Sequence, residues 1–467
     1  MPNLAGVTHF LCAVDFGGAF YTRAMIRTIA STVAACAWVC ASPATDHPDT
    51  IDTAGMVIYE VNIRQYTPEG TFDAFRDHIP RLADMGVDIL WLMPIHPIGE
   101  ANRKGTLGSY YAVRDYLDVN PEFGTRADFR ELVDAAHDAG MVVIIDWVAN
   151  HTAWDHIWTV DHPERFTKGS DGGFVPPNPD WADVIDLDFD DPGTRAAMAD
   201  AMMYWVREFG IDGFRCDVAD DVPADFWAPT IAALRAERPM FMLAEADSAE
   251  MHECGFDATY GWRVSDAIVR IARGEEDAAA LRRVIDRDAR QIGGDGDRFR
   301  MVFTTNHDWN SWNGTTAELL GPALDAATVL TFTLPGVPLI YSGQEAGLDK
   351  RLEFFEKDPI AWRDDPSADL YRRLCRLKSA APALRQGAGG GTIEFFEAGD
   401  PKRVVAFTRR LGSSAVVVAI NLSAEPAALR GIEARADAPF FDLDGGAASP
   451  PDRLAPWGWW IAWRSGQ

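Results

Sequence analysis

From residue 56 onward the chain alternates short apolar runs of strand length with longer amphipathic runs of helical length. The apolar runs read MVIYEVNI, VDILWLMPI, MVVIIDWV, DGFRCDV, MFMLAEA, RFRMVFTTN and VPLIYSG, and a further strand, sixth in order, is expected at GFDATYG. Between them lie segments such as TRADFRELVDAAHDAG, with apolar residues at helical spacing and a closing glycine. Near-continuous apolar strands separated by helices mean a parallel sheet covered on both faces. Eight such units in roughly 300 residues predict a (β/α)8 barrel, with a doubly wound sheet as the alternative.

One connection is too long for a simple crossover. Residues 152–190, after the third strand, are rich in Pro, Asp, Gly and Trp, and their aromatics with Ile185 and Leu187 could pack, so a small inserted subdomain is expected. Past about residue 385 the pattern changes: GAGGG interrupts, and TIEFFEA, RVVAFTRRL, SAVVVAINL and WGWWIAWR follow with turns between them. The expected organisation is an N-terminal extension over 1–49, a catalytic barrel over 50–385 and a C-terminal antiparallel β-sandwich domain over 386–467. Trp457, Trp459 and Trp460 could bind glycan, although a place in the β core is the commoner use of such aromatics.

Within the extension, MIRTIASTVAACAWVCASPA, starting at Met25, has a short basic start, an apolar run of secretory length and small residues near Ala41. It reads as a signal peptide, with residues 1–24 as an upstream extension and a secreted or periplasmic product; Trp38 and Val39 before Cys40 depart from a lipobox. The formal charge of -27 argues against nucleic acid or an anionic membrane as partner and favours a neutral substrate. No other segment reads as membrane-spanning, and the cysteines show neither a disulfide framework nor zinc spacing.

Active sites of such barrels lie at the C-terminal ends of the strands. Here those ends are acidic. The third carries Asp146, Asn150 and His151, the fourth Arg215 and Asp217, the fifth Glu245, and the seventh Asn306, His307 and Asp308. Any one of these could cap a helix or, like Arg215 and Asp217, form an ordinary ion pair. Gathering them on one rim costs stability unless chemistry or a cation uses them. Three carboxylates, two histidines and an arginine, with no phosphate loop and no Ser-His-Asp set, point to glycoside hydrolysis, where one carboxylate attacks and another protonates the leaving oxygen. A metal-dependent hydrolase would want histidines at ligand spacing, which are absent from the sequence.

Over residues 55–465 these motifs resemble the α-amylase family of retaining glycoside hydrolases. GVDILWLMPI, DWVANH, GFRCD, LAEA, TTNHD and GVPLIYSGQE resemble the family's strand motifs in order, and VIDLDF the motif closing its inserted subdomain. The resemblance implies Asp217 as nucleophile, Glu245 as general acid/base and Asp308 as the carboxylate that stabilises the transition state. Arg215 would keep the nucleophile ionised, Asp146 would buttress Arg215, and His151 and His307 would bind sugar hydroxyls. Tyr111, with Tyr110 beside it, matches the tyrosine that stacks on the sugar. Asn150 matches a calcium ligand, but no further ligands are readable in the short insert; no cofactor is expected for the chemistry, and any calcium would be structural. Asp220 and Asp221 stand where many starch-degrading members have Lys-His, which implies weak binding beyond the first leaving-group subsite; the alternative is that both turn into solvent and cap the helix that begins at VPADFW.

The implied activity is cleavage of α-1,4-glucosidic bonds in maltooligosaccharides or related α-glucans through a glycosyl-aspartate. An α-glucosidase, a cyclomaltodextrin- or pullulan-cleaving enzyme and a glucanotransferase share the motifs. A non-catalytic carbohydrate-binding scaffold would have no reason to keep all three carboxylates. Oligomeric state is not readable from the sequence.

Overall fold

A computed structural model describes residues 51–294, 296–432 and 440–466. The signal-peptide expectation, with Cys40, lies outside the described residues. Eight parallel strands close into a barrel: β1 (Ile58–Val61), β2 (Ile89–Leu92), β3 (Val142–Trp147), β6 (Gly213–Cys216), β7 (Phe241–Ala244), β8 (Ala258–Tyr260), β9 (Phe299–Val302) and β10 (Val337–Tyr341). The short strand expected at GFDATYG is β8, and the closed ring excludes the open doubly wound sheet.

The helices follow from local chemistry. Thr125 and Asp128 form a reciprocal capping box at the start of the helix Arg126–Asp138, whose Phe129, Leu132, Val133 and Ala136 are buried at helical spacing. The helix Pro192–Phe209 begins with Asp191 accepting from the Thr194 N–H and a proline in its first turn, and stops at Gly210, which takes φ +68°. Such helices cover the outside of the barrel, so its strands are buried on both faces.

Within the long connection, β4 (His151–Ala153) and β5 (Val184–Asp186) pair antiparallel. Phe166, Ile185, Leu187 and Phe189 from this segment join the main core, as expected of an insert that packs. Beyond the barrel, β11 (Thr392–Phe395), β12 (Val404–Leu411), β13 (Ser414–Asn421) and β16 (Trp459–Arg464) form an antiparallel sheet. A two-stranded ribbon of β14 (Ala427–Ala428) and β15 (Arg453–Leu454) accompanies it. One face of the sheet, with Val405, Phe407, Val416, Val418 and Ile461, is continuous with the barrel core. The buried Arg409 fastens this junction by donating to the carbonyls of Thr333, Arg385 and Gly391. Trp457 and Trp459 pack against the main core and Trp460 is buried with its indole N–H on the Ser449 carbonyl, so these rings serve packing.

Gly213 opens the strand that carries Arg215, opposite Phe241 of β7. A Cβ there would stand 1.8 Å from the Phe241 carbonyl oxygen. The neighbouring strand therefore requires glycine. Gly213→Ala is expected to lower stability in urea unfolding by about 3 kcal/mol, the upper end of ordinary single substitutions; an unchanged midpoint would contradict the close approach.

Candidate active site

The strand ends converge on Arg215, whose guanidinium is fully buried. Its Nη1 donates to Asp146 Oδ1 at 2.8 Å and to Asp217 Oδ1 at 2.9 Å, and its Nε donates to the Tyr260 hydroxyl at 3.0 Å. Its Nη2 lies 2.9 Å from Glu245 Oε2 but out of line for a hydrogen bond, so that contact is an ion pair alone. The Trp91 ring lies 5.2 Å from the guanidinium carbon and adds a cation–π contact. The register explains the grouping. Asp146 pairs with Arg215 across β3 and β6, and Cys216 pairs with Ala244 across β6 and β7. Asp217 and Glu245 therefore leave adjacent strands at the same level.

Glu245 Oε2 accepts from the Val218 backbone N–H at 2.8 Å. Val218 takes φ +36°, a left-handed conformation costly for a β-branched residue, which turns the chain out of β6 directly after Asp217. Burial pushes the Asp217 carboxyl well up, the charge of Glu245 adds to this, and Arg215 opposes both. Arg215 thus acts in the expected direction on Asp217 but is outweighed. Burial raises Asp146 as well, against Arg215 and His307. Three carboxyl groups around one guanidinium cannot all ionise readily, and such a cluster retains a proton.

A second network joins the first. Tyr111 donates to Asp146 Oδ2 at 3.0 Å and lies 2.7 Å from His307 Nε2, with the two rings stacked. His307 Nδ1 stands 2.5 Å from Glu60 Oε1, and its Nε2 lies 3.2 Å from Asp308 Oδ2. Burial lowers the His307 pKa, but Asp308 and Glu60 overcome it and bring the group to about 9. His307 is therefore an imidazolium at neutral pH. His151, whose Nε2 is 3.9 Å from Asp217 Oδ2, is taken by burial down to about 4 and stays neutral. Tyr110 points elsewhere: its hydroxyl accepts from Asn62, and Arg64 stacks on its ring. Tyr111 is thus the tyrosine that faces the site. Asp308 is the most open of the three rim carboxylates, its side chain 37 % exposed against 10 % for Asp217 and 14 % for Glu245.

Of these groups Tyr111, His151, Asp217, Glu245, His307 and Asp308 line a cavity of about 350 Å³, whose walls also include Lys104, Trp181, Asp183, Trp312, Phe354 and Phe355. Glu60, Trp91 and Tyr260 are members of the site that motif reading missed. Glu60 left one signal, a carboxylate in the middle of the apolar run MVIYEVNI. Asp220 accepts from Ser248 Oγ at 2.6 Å, and the helix Ala224–Glu237 begins at Pro223 without a side-chain cap, so neither Asp220 nor Asp221 caps it.

Asn150 is buried, with its amide nitrogen 3.4 Å from His151 Nδ1. Among the described residues no three His, Cys, Asp or Glu side chains gather to hold a metal ion.

The His307 pKa yields a sign-definite expectation. A histidine raised from 6.5 to about 9 contributes stability that is complete below the unfolded value and lost as pH rises through about 9. Melting temperature is therefore expected to fall between pH 6.5 and 9 in the native protein. His307→Gln should flatten that part of the profile, as differential scanning fluorimetry across pH would record.

A model described as the α-amylase catalytic domain matches residues 41–171. The structure superposes on an α-amylase from Lactobacillus plantarum with TM-score 0.78 and 30 % identity, covering 88 % of this chain and 99 % of that one. A noncanonic maltogenic α-amylase, AmyB from Thermotoga neapolitana, gives TM-score 0.79 and 28 % identity, with coverage of 89 % and 100 %. By sequence the chain is 30 % identical to α-amylase MalA of Haloarcula japonica over 393 residues, which are 79 % of this chain and 56 % of that relative's length.

Proposed function

Because the chain belongs to the α-amylase family of glycoside hydrolases, we propose that it cleaves α-1,4-glucosidic bonds in maltooligosaccharides or related α-glucans with retention of configuration. The observation that carries this reading is the pairing of β6 with β7, which sets Asp217 beside Glu245 with Arg215 against both. Neighbouring strands run about 4.8 Å apart, close to the separation of about 5–5.5 Å that retaining carboxyl pairs need.

The double displacement requires a proton on Glu245 and a negative charge on Asp217 at the outset. The aligned hydrogen bond from Arg215 favours the ionised form of Asp217 and works against the burial that raises this carboxyl, whereas the Arg215–Glu245 contact is out of line. Glu245 gives its proton to the glycosidic oxygen as the bond to the anomeric carbon breaks, and Asp217 attacks that carbon to form a glycosyl ester. Glu245, now a carboxylate, takes a proton from water; the water oxygen attacks the anomeric carbon and Asp217 leaves. Asp308 faces the positive charge that develops on the sugar and the Tyr111 ring offers a stacking face, while His307, with Nδ1 on Glu60 and Nε2 beside Tyr111 and Asp308, holds those two side chains in place. The neutral His151 can donate through one ring nitrogen and accept through the other.

Asp217→Asn and Glu245→Gln are each expected to lower turnover of maltoheptaose by at least about 10³-fold, equivalent to about 4 kcal/mol of barrier, with unchanged circular dichroism. Retention of more than a few per cent of activity by either variant would overturn the assignment. Newly formed reducing ends should be α-anomers by proton NMR before mutarotation, and initial β-product would exclude double displacement.

A secreted or periplasmic location is part of the same proposal, supported by the segment from Met25 to Ala41. Among the described residues no helix is long and apolar enough to cross a membrane. Protein from its native host should begin between about residues 40 and 50 by intact-mass analysis, as expected after removal of a leader. A chain beginning at Met1 would contradict it.

A further inference from the structure

The cavity is walled on one side by three segments tied to one another. Lys104, in the loop after β2, places its ammonium 2.8 Å from Asp183 Oδ1 and donates to the Asp180 carbonyl at 3.1 Å, joining that loop to the insert. Two residues on, the Thr106 N–H donates to Glu356 Oε1 at 2.8 Å and the Leu107 N–H to the Phe355 carbonyl at 3.1 Å, joining it to the segment after β10. Gly105 takes φ +65° between these contacts, and a Cβ there would stand 2.4 Å from Phe355 Cβ. Trp312 packs against Phe354, ring centroids 5.3 Å apart, and extends this wall.

The position of the wall in the barrel gives it meaning. In the ring of strands β2 and β10 flank β1, and β1 stands diametrically opposite β7. Glu245 follows β7, so a leaving group protonated by Glu245 extends to that side and the sugars on the other side of the cleaved bond point toward the wall. In an α-1,4-glucan those sugars lead to the non-reducing end. The cavity of about 350 Å³ is near the lower end of small-molecule sites, which run from about 300 to 1,000 Å³.

From this we propose that the enzyme works from the non-reducing ends of α-glucan chains, with the Lys104–Asp183 pair closing the cavity beyond the terminal sugars. The inference rests on the glucan-cleaving reading given above and deepens it. Two of the three ammonium donors of Lys104 are used by Asp183 and the Asp180 carbonyl, and the third is left for a terminal sugar hydroxyl. Asp183 is buried while the Lys104 side chain keeps 38 % of its surface exposed, so the pair sits at the edge of the cavity with its anion inside and its cation reaching solvent. In this binding mode the wall stands across the direction that an internal stretch of chain would follow beyond the terminal sugars.

The test uses two maltoheptaoses, one unmodified and one with O4 and O6 of its non-reducing terminal glucose bridged by an acetal. The native enzyme is expected to turn over the unmodified substrate at least about tenfold faster, since even a single methylene too many in a closed pocket costs that much. It should release a short product of fixed length from the first minutes. Lys104→Ala, and separately Asp183→Asn, should raise relative cleavage of the blocked substrate several-fold, with circular dichroism and melting temperature checking that each variant folds. Equal rates on the two substrates with the native enzyme would overturn chain-end action while leaving α-glucan cleavage standing. Cleavage of neither would overturn the glucan reading and this inference with it. A native preference that both folded variants keep would overturn the role given to the Lys104–Asp183 pair.

Discussion

Everything polar in the floor of this barrel is arranged around one buried guanidinium. Arg215 is fully buried and is held by Asp146, Asp217, Glu245 and Tyr260 from four successive strands of the ring, β3, β6, β7 and β8. The dependence runs both ways. Without Arg215 the three carboxylates would be buried and uncompensated, and without them the arginine would be. The register of β3, β6 and β7 makes the contacts, so the fold and the charge balance are specified together.

The second cation, His307, extends this balance to the other side of the cavity, where Glu60 and Asp308 keep it charged and Tyr111 links it to Asp146. Two cations among five carboxyl groups leave the site with an excess of negative charge. For the reaction proposed here, that excess favours the positive charge that develops on a sugar as its glycosidic bond breaks. Burial, with repulsion among the carboxylates, raises Asp146 and Asp217 against the pull of Arg215, so the cluster holds a proton more readily than isolated carboxylates would.

Much of this was legible in the sequence for an identifiable reason. Asp217, Glu245 and His307 come just after apolar runs, where a strand ends and side chains meet at the rim, so their position followed from the hydrophobic pattern. Glu60, Trp91 and Tyr260 lie within such runs and look like parts of a buried strand; only closure of the barrel shows that they face its interior. Val218 carried no signal at all. Its left-handed backbone is needed only because β6 must turn sharply beside Glu245, and a valine is a poor advertisement for such a conformation. The wall formed by Lys104, Asp183 and Phe355 was invisible for a further reason, since its parts are far apart in sequence and belong to loops whose paths no periodicity fixes.

By itself, then, the sequence determined the architecture and the identity of the chemical groups. Alternation of strand and helix is a local property, and the residue at the end of each run is fixed by counting along the chain. The tertiary structure alone decided how those groups behave. The direction in which Asp217 titrates, the charge on His307 and the grouping of Lys104, Asp183 and Phe355 along one side of the cavity all depend on distances and desolvation. Those quantities exist only once strands from distant parts of the chain stand a few ångströms apart with water excluded between them.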